Sequence, residues 1–398
     1  MATVTRFAVR LRFLLNLANW SRNFTKRSHA VLLICVGTIV ACGGTSSSSS
    51  SPQPVSADPW STVTSAIEAA QPQFPGGLAV EVVAPVGVVY SKSFGNFTNT
   101  TLAPLASASK IVSASVFLRL VELGILSLDT TTKSLLLDRR GQPWAGNMGD
   151  IRLRDLLSFT AGIVSELPAA EVPNISTAEA VQRIYDDQFA SAVPRGATFY
   201  YGGRTQMRIA ARMAEMVTGK SWRQLYDEQL RVPLGLGALC TFSGGTNPGP
   251  ASDLICTGLD YTRFLTMQLR QGLDGGNRFL SVNSIQQQRA DAFGLTTTIS
   301  FSAYTVLGKT YHYGLGNWLE TANGQAPGVN NPVLRWSSTG KFGWAPWIAS
   351  DSSYAGLIMT QQSDTSTSFI PSENLKAQLE PLIRAALALN GAIVRTVP

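Results

Sequence analysis

"PLASASKIVSASVFLRLVELG", Pro104–Gly124, holds a serine three residues ahead of a lysine, Ser107-Ala108-Ser109-Lys110. Behind it Ile111, Val112, Phe117, Leu118 and Val121 make a thick apolar stripe at helical spacing, and Gly124 suits a C-terminal cap. The pattern alone says little. About one S-x-x-K arises by chance in a chain of ordinary composition, and this chain has two, Ser107/Lys110 and Ser338/Lys341. Geometry separates them. On a helix, positions i and i+3 share a face and their side chains meet. Ser107 falls at the predicted helix start, where free N–H groups and the helix dipole favour a developing negative charge. Lys110 lies one turn inward, where burial lowers a lysine's pKa and lets it act as a base. Ser338 and Lys341 fall on a predicted strand interrupted by Gly340, where i and i+3 point to opposite faces, so they form no dyad.

Outward from this stretch the chain reads as strands, then helices, then strands and a closing helix. Asp58–Ala70 is a short helix. Leu78–Val83 and Val86–Ser91 flank Ala84-Pro85 as a hairpin. Helical patterns follow at Ile151–Phe159, after the capping box Ser176-Thr177-Ala178-Glu179, at Met207–Val217 ending on Gly219, and at Leu259–Leu269 ending on Gly272. Val333–Ser338, Trp347–Ala349 and Tyr354–Thr360 read as strands, and Glu373–Leu389 as the last helix. This order predicts an α/β (α+β) domain over 58–390. Its sheet part comes from about 58–135 and 275–390, with a helical insert of about 136–274 between them.

Two more motifs stand in order behind the first. "PRGATFYYGGRTQMRIAARMAEMVTGKSW", Pro194–Trp222, sets Tyr201-Gly202-Gly203 before a helix, and "RWSSTGKFGWAPWIA", Arg335–Ala349, carries Ser338-Thr339-Gly340. With these the chain resembles the serine β-lactamase and penicillin-binding-protein superfamily, nearest its class C branch with esterase and D-amino-peptidase relatives, whose elements are S-x-x-K, Y-x-N and K-T-G. "DIRLRDLLSFTAGI" (Asp150–Ile163), "TGLDYTRFLTMQL" (Thr257–Leu269) and "YHYGLGNWLE" (Tyr311–Glu320) are similar to further segments of that family. The resemblance covers roughly residues 58 to 390. It implies an antiparallel sheet flanked by helices, a helical domain and an active site between the two.

Carried over residue by residue, the resemblance makes Ser107 the acylated nucleophile and Lys110 the group that takes or relays its proton. Tyr201, its pKa lowered by nearby cations, becomes the general base that later protonates the leaving group; Tyr200 beside it is a rival. The oxyanion would sit on the N–H groups of Ser107 and Lys341, each such donor being worth about 10²–10³ in rate. Two departures matter. Gly203 replaces the asparagine of Y-x-N, removing a substrate hydrogen bond. Ser338 (Ser337 if the register slips) replaces the lysine of K-T-G, removing the cation that holds a substrate carboxylate. Lys341 restores that charge only if its side chain bends into the cleft. Trp336, Trp344 and Trp347 flank the third motif, as core residues or as an acyl pocket. The expected activity is that of a serine hydrolase or carboxylesterase on small esters or amides. β-Lactam or D-amino-peptide hydrolysis, and non-catalytic binding of cell-wall peptide, stand as alternatives.

Composition excludes other classes. Of 32 basic residues, six fall in residues 1–41, which hold no acid, leaving 26 against 25 acids, so the surplus of +7 is no argument for nucleic acid. That leader reads as an export signal, with an apolar run from Ala30 to Ala41 too short to span a bilayer. It ends in Ile39-Val40-Ala41-Cys42, which resembles a lipoprotein cleavage box, with a Ser-rich linker over 42–57. The expectation is a lipid on Cys42 and a bacterial envelope location, on the periplasmic face of the outer membrane; a misplaced start before an ordinary signal is the alternative. Cys240 and Cys256 are the two remaining of four cysteines outside the signal and lipid site, a disulfide pair or two free thiols. Only His29 and His312 exist, so no multi-histidine metal site is built, no cofactor is called for, and His312 reads as structural. No G-x-S-x-G occurs, and the P-loop-like "EMVTGKSW" has Ala214 where a glycine is needed.

Overall fold

The computed structural model describes residues 58–389 and Gly391. The leader, linker and Cys42 lie outside the described residues. Among these residues no helix is long and apolar enough to cross a membrane.

The hairpin read from the sequence is present as β1 (Leu78–Ala84) and β2 (Gly87–Phe94). Five strands from the C-terminal part extend it: β3 (His312–Tyr313), β4 (Trp318–Thr321), β5 (Val333–Ser337), β6 (Ala345–Ala349) and β7 (Ala355–Met359). All seven run antiparallel in the order β3-β4-β5-β6-β7-β1-β2, so the N-terminal hairpin adds to the last C-terminal strand, with Ala79 opposite Met359. Every residue of β1 is buried, and its alternation sorts side chains between two cores. Leu78, Val80, Val82 and Ala84 face helices Ser61–Ala70 and Ile370–Leu389, while Ala79 and Val83 join the larger core. Each fully buried Val or Leu there contributes about 1.5–3 kcal/mol. Glu81, among them, has its carboxyl oxygens satisfied by hydrogen bonds from Ser91 (3.0 Å), Asn99 (2.8 Å) and Thr262 (2.5 Å).

Contacts cross the expected division into a sheet part and an insert over 136–274. Helix Gly258–Leu269, inside the insert by sequence, packs on β1, β6 and β7. Helix Ser109–Glu122, assigned to the sheet part, packs on Trp222–Tyr226 and Asp227–Arg231 of the insert as well as on helix Val282–Arg289. The chain crosses between layers more often than a strands-helices-strands reading allows, and residues 58–389 fall in one compact unit.

Helix Ser109–Glu122 is buried on nearly all sides, which its small residues permit. Its buried hydroxyls are satisfied: Ser109 donates to the Ala106 carbonyl at 2.7 Å and Ser113 to the Pro250 carbonyl at 2.6 Å. A Cβ on Gly316 would meet the Lys110 carbonyl at 2.6 Å, so only glycine lets the β3–β4 turn approach this helix. Cys240 and Cys256 form a disulfide. Cys256 pairs with Ala103 in a short sheet, and Leu105 N–H donates to the Leu254 carbonyl at 2.9 Å, so the bridge braces the segment leading into Ser107.

Candidate active site

Ser107 lies in a 3-10 turn, Ala106–Ala108, directly before the α-helix that begins at Ser109. At three residues per turn, i and i+3 stack over each other, and Lys110 Nζ stands 2.8 Å from Ser107 Oγ. A second bond, 3.0 Å to the Ala251 carbonyl, fixes the amine. Lys110 is buried, and desolvation lowers its pKa to about 7, with Arg204 pulling the same way and Glu166 and Asp253 opposing. Ala106 has φ 46° and Phe159 φ 61°, a region non-glycine residues avoid. Each costs on the order of 1–3 kcal/mol, and both flank the Ser107–Lys110 pair.

Tyr201 follows the short strand Thr198–Tyr200 and precedes helix Gly203–Thr218. It lines the cleft with Ser107 and Lys110, whereas Tyr200 does not and packs against Phe301. The expectation that cations depress Tyr201 is overturned. Its ring is boxed by Trp318 (4.7 Å between centroids), Phe159 (5.5 Å) and Tyr313 (5.8 Å), and desolvation raises its pKa to about 12. Lys110 Nζ sits over the ring face, 4.9 Å from its centroid. At neutral pH Tyr201 therefore holds its proton, and Lys110 is the group with a pKa suited to accept one.

The third motif closes the other side. Ser338, just past β5, donates to the Ser107 carbonyl at 2.9 Å and to the Gly316 carbonyl at 3.2 Å. A Cβ on Gly340 would come within 2.1 Å of the Leu105 carbonyl, so glycine permits this contact with the nucleophile turn. Among the described residues, neither the Ser107 nor the Lys341 backbone N–H donates to a protein acceptor, which leaves both available to an oxyanion. Lys341 does not supply the missing cation: its side chain is about half exposed and paired with Asp364.

Gly203 is less an omission than a steric requirement. A Cβ there would lie 2.4 Å from Lys110 Cε and 2.8 Å from Phe159 Cζ. The lysine stem fills the space an asparagine would use. Gly203→Asn is expected to push Lys110 off Ser107 and lower kcat by about 10²-fold, as displacements near 1 Å do; steady-state ester hydrolysis measures it.

The cleft measures about 780 Å³ and is also lined by Glu166, Glu171, Arg204, Asp253, Tyr304, Trp318, Thr339 and Asp364. His312 does not line it. Its Nδ1 lies 2.7 Å from Asp291 Oδ2 and its ring stacks on Phe293. Nor do the three tryptophans flanking the third motif: Trp344 and Trp347 are core residues, and Trp336 lies under Arg289. The aromatic box was present in the quoted segments, as Phe159, Tyr313 and Trp318, without any local sign of its role. The carboxylates had no sequence signal, because they arrive from separate loops.

The β-lactamase family profile matches residues 65–379. The chain belongs to the β-lactamase family. Penicillin-binding protein 4 of Amycolatopsis lactamdurans is 25% identical over 252 residues, which is 54% of this chain and 64% of that protein. A Bacteroides dorei structure assigned to the β-lactamases is 28% identical, with TM-score 0.68 over 82% of this chain and 99% of that one. Simvastatin synthase of Aspergillus terreus shares the fold at 18% identity, TM-score 0.60, over 83% and 98% of the two chains. As a β-lactamase-family member the chain has the β-lactamase-like fold that the ordered motifs implied.

Proposed function

We propose that this β-lactamase-family chain hydrolyses small esters or amides through an acyl-enzyme on Ser107. The observation that carries this is the 2.8 Å contact between Ser107 Oγ and a buried Lys110 whose pKa falls to about 7. Neutral Lys110 takes the serine proton as Oγ attacks the carbonyl carbon. The N–H groups of Ser107 and Lys341 receive the oxyanion. Tyr201, protonated at its pKa of about 12, gives its proton to the departing alkoxide or amine, and the tyrosinate then takes back the proton that Lys110 received, which restores the neutral amine. Water then attacks the ester carbonyl, again with Lys110 as base, and releases the acid.

The third motif argues for substrates without a carboxylate beside the reacting carbonyl. Ser338 brings no cation, and Lys341 is committed to Asp364. The expected result is a higher kcat/KM on p-nitrophenyl butyrate than on a chromogenic cephalosporin. Efficient cephalosporin turnover with negligible ester turnover would reverse the preference.

A further inference from the structure

Thr339 lines the cleft, yet its hydroxyl proton is already given away. Its Oγ1 donates to Glu373 Oε1 at 2.5 Å. Glu373 lies in the first turn of the C-terminal helix and also accepts from Lys376 Nζ at 2.8 Å. Lys376 is fully buried and bonded at 2.6 Å to Glu320, itself fully buried. This ion network fixes Glu373 as an acceptor, so toward the cleft Thr339 offers lone pairs. A threonine so arranged opposes a carboxylate and welcomes an N–H.

The rest of the cleft agrees. Its ionisable lining is Lys110, Arg204 and Lys341 against Glu166, Glu171, Asp253 and Asp364. Each cation is already engaged: Lys110 with Ser107 and Ala251, Arg204 with Glu171 at 2.6 Å, and Lys341 with Asp364. Glu171 Oε1 is buried without a partner among the described residues. Tyr304, only 2% exposed, lines the same cleft, with the hydroxyls of Thr339 and Ser337 beside its own. A buried carboxylate oxygen left without a partner calls for one the protein does not supply. Tyr304 packs on Trp318, and Trp318 on Tyr201, so Tyr304 lies along the wall of the proposed leaving-group proton donor.

We propose that Glu373 sets Thr339 as an acceptor, and that the cleft thereby selects esters and amides whose leaving group carries a protonated amine rather than a carboxylate. The inference rests on the acyl-enzyme reading above. Glu373 is a positioning residue, acting through Thr339.

Three butyrate esters test it, with alcohols ending in a dimethylammonio, an isopropyl or a carboxylate group. They share one acyl-enzyme, so deacylation is common and kcat/KM reports recognition of the alcohol. Followed by acid release at pH 7, the ammonio ester should exceed the carboxylate ester by about tenfold or more, the ratio that one charge-assisted hydrogen bond supports. In Glu373→Gln the amide can donate to Thr339, turning its proton toward the cleft, and the ratio should narrow several-fold. Thr339→Val, which leaves the buried ions in place, should narrow it likewise if Glu373→Gln does not fold. Equal wild-type rates, or a ratio that the folded variants leave unmoved, overturn the proposal. Failure of the acyl-enzyme reading looks different: no ester is turned over, or Ser107→Ala turns all three over as well as wild type.

Discussion

Ser107→Ala should lower kcat/KM for p-nitrophenyl butyrate by about 10⁴-fold or more, leaving only what binding and the oxyanion donors contribute without a nucleophile. The pre-steady-state burst of p-nitrophenol should vanish with it. The fold should survive. Ser107 Oγ takes part in one side-chain hydrogen bond, with Lys110, and an intramolecular hydrogen bond contributes about 1 kcal/mol net. Lys110 keeps its bond to the Ala251 carbonyl in the variant. Circular dichroism and a thermal melt separate loss of chemistry from loss of structure. Wild-type activity in this variant would remove the mechanism entirely.

Lys110→Met should cost about 10³-fold in kcat/KM, within the range positioned acid–base catalysis contributes. The wild-type pH profile carries the more specific expectation. Burial lowers Lys110 to about 7, so the neutral, proton-accepting amine predominates above that pH and the ammonium below it. Activity should therefore rise through an acidic limb near pH 7, and that limb should be absent from the residual activity of Lys110→Met. Stability runs the same way. The folded pKa lies below the ordinary lysine value of 10.5, so between about pH 7 and 10.5 the unfolded chain binds a proton the folded chain does not. This group's contribution to stability grows as pH rises through that window, and below pH 7 the full desolvation cost is felt. The methionine variant, with no charge to desolvate, should melt higher than wild type at pH 6. Ser107 supplies the attacking atom and Lys110 the place for its proton, so the two variants together should not be additive.

Much of this site was legible because its signals are local. A serine and a lysine one turn apart on a helix need only the helix to meet, and the structure sets them 2.8 Å apart. The β1–β2 hairpin announced itself through two β-branched runs and Ala84-Pro85. Strands β3 and β4 did not, since four residues or fewer give no period to read. The direction of Tyr201's pKa shift was misread for a different reason. Motif order places a lysine near the tyrosine, but the net effect depends on Trp318, Phe159 and Tyr313 closing around the ring, and these come from three separate segments. The pairing of Lys341 with Asp364 and of Thr339 with Glu373 likewise joins residues with no sequence pattern between them. The loss of a lysine at Ser338 was visible in the chain. Thr339's hydrogen bond to Glu373 was not.

The account stands on a covalent bond at one atom. Wild-type protein mixed with p-nitrophenyl butyrate, acid-quenched within the burst and digested for peptide mass mapping, should carry a butyryl group on the peptide containing Ser107, on that serine. Ser107→Ala should carry none there. A burst with no adduct on this peptide, or with the acyl group on another residue, would contradict it.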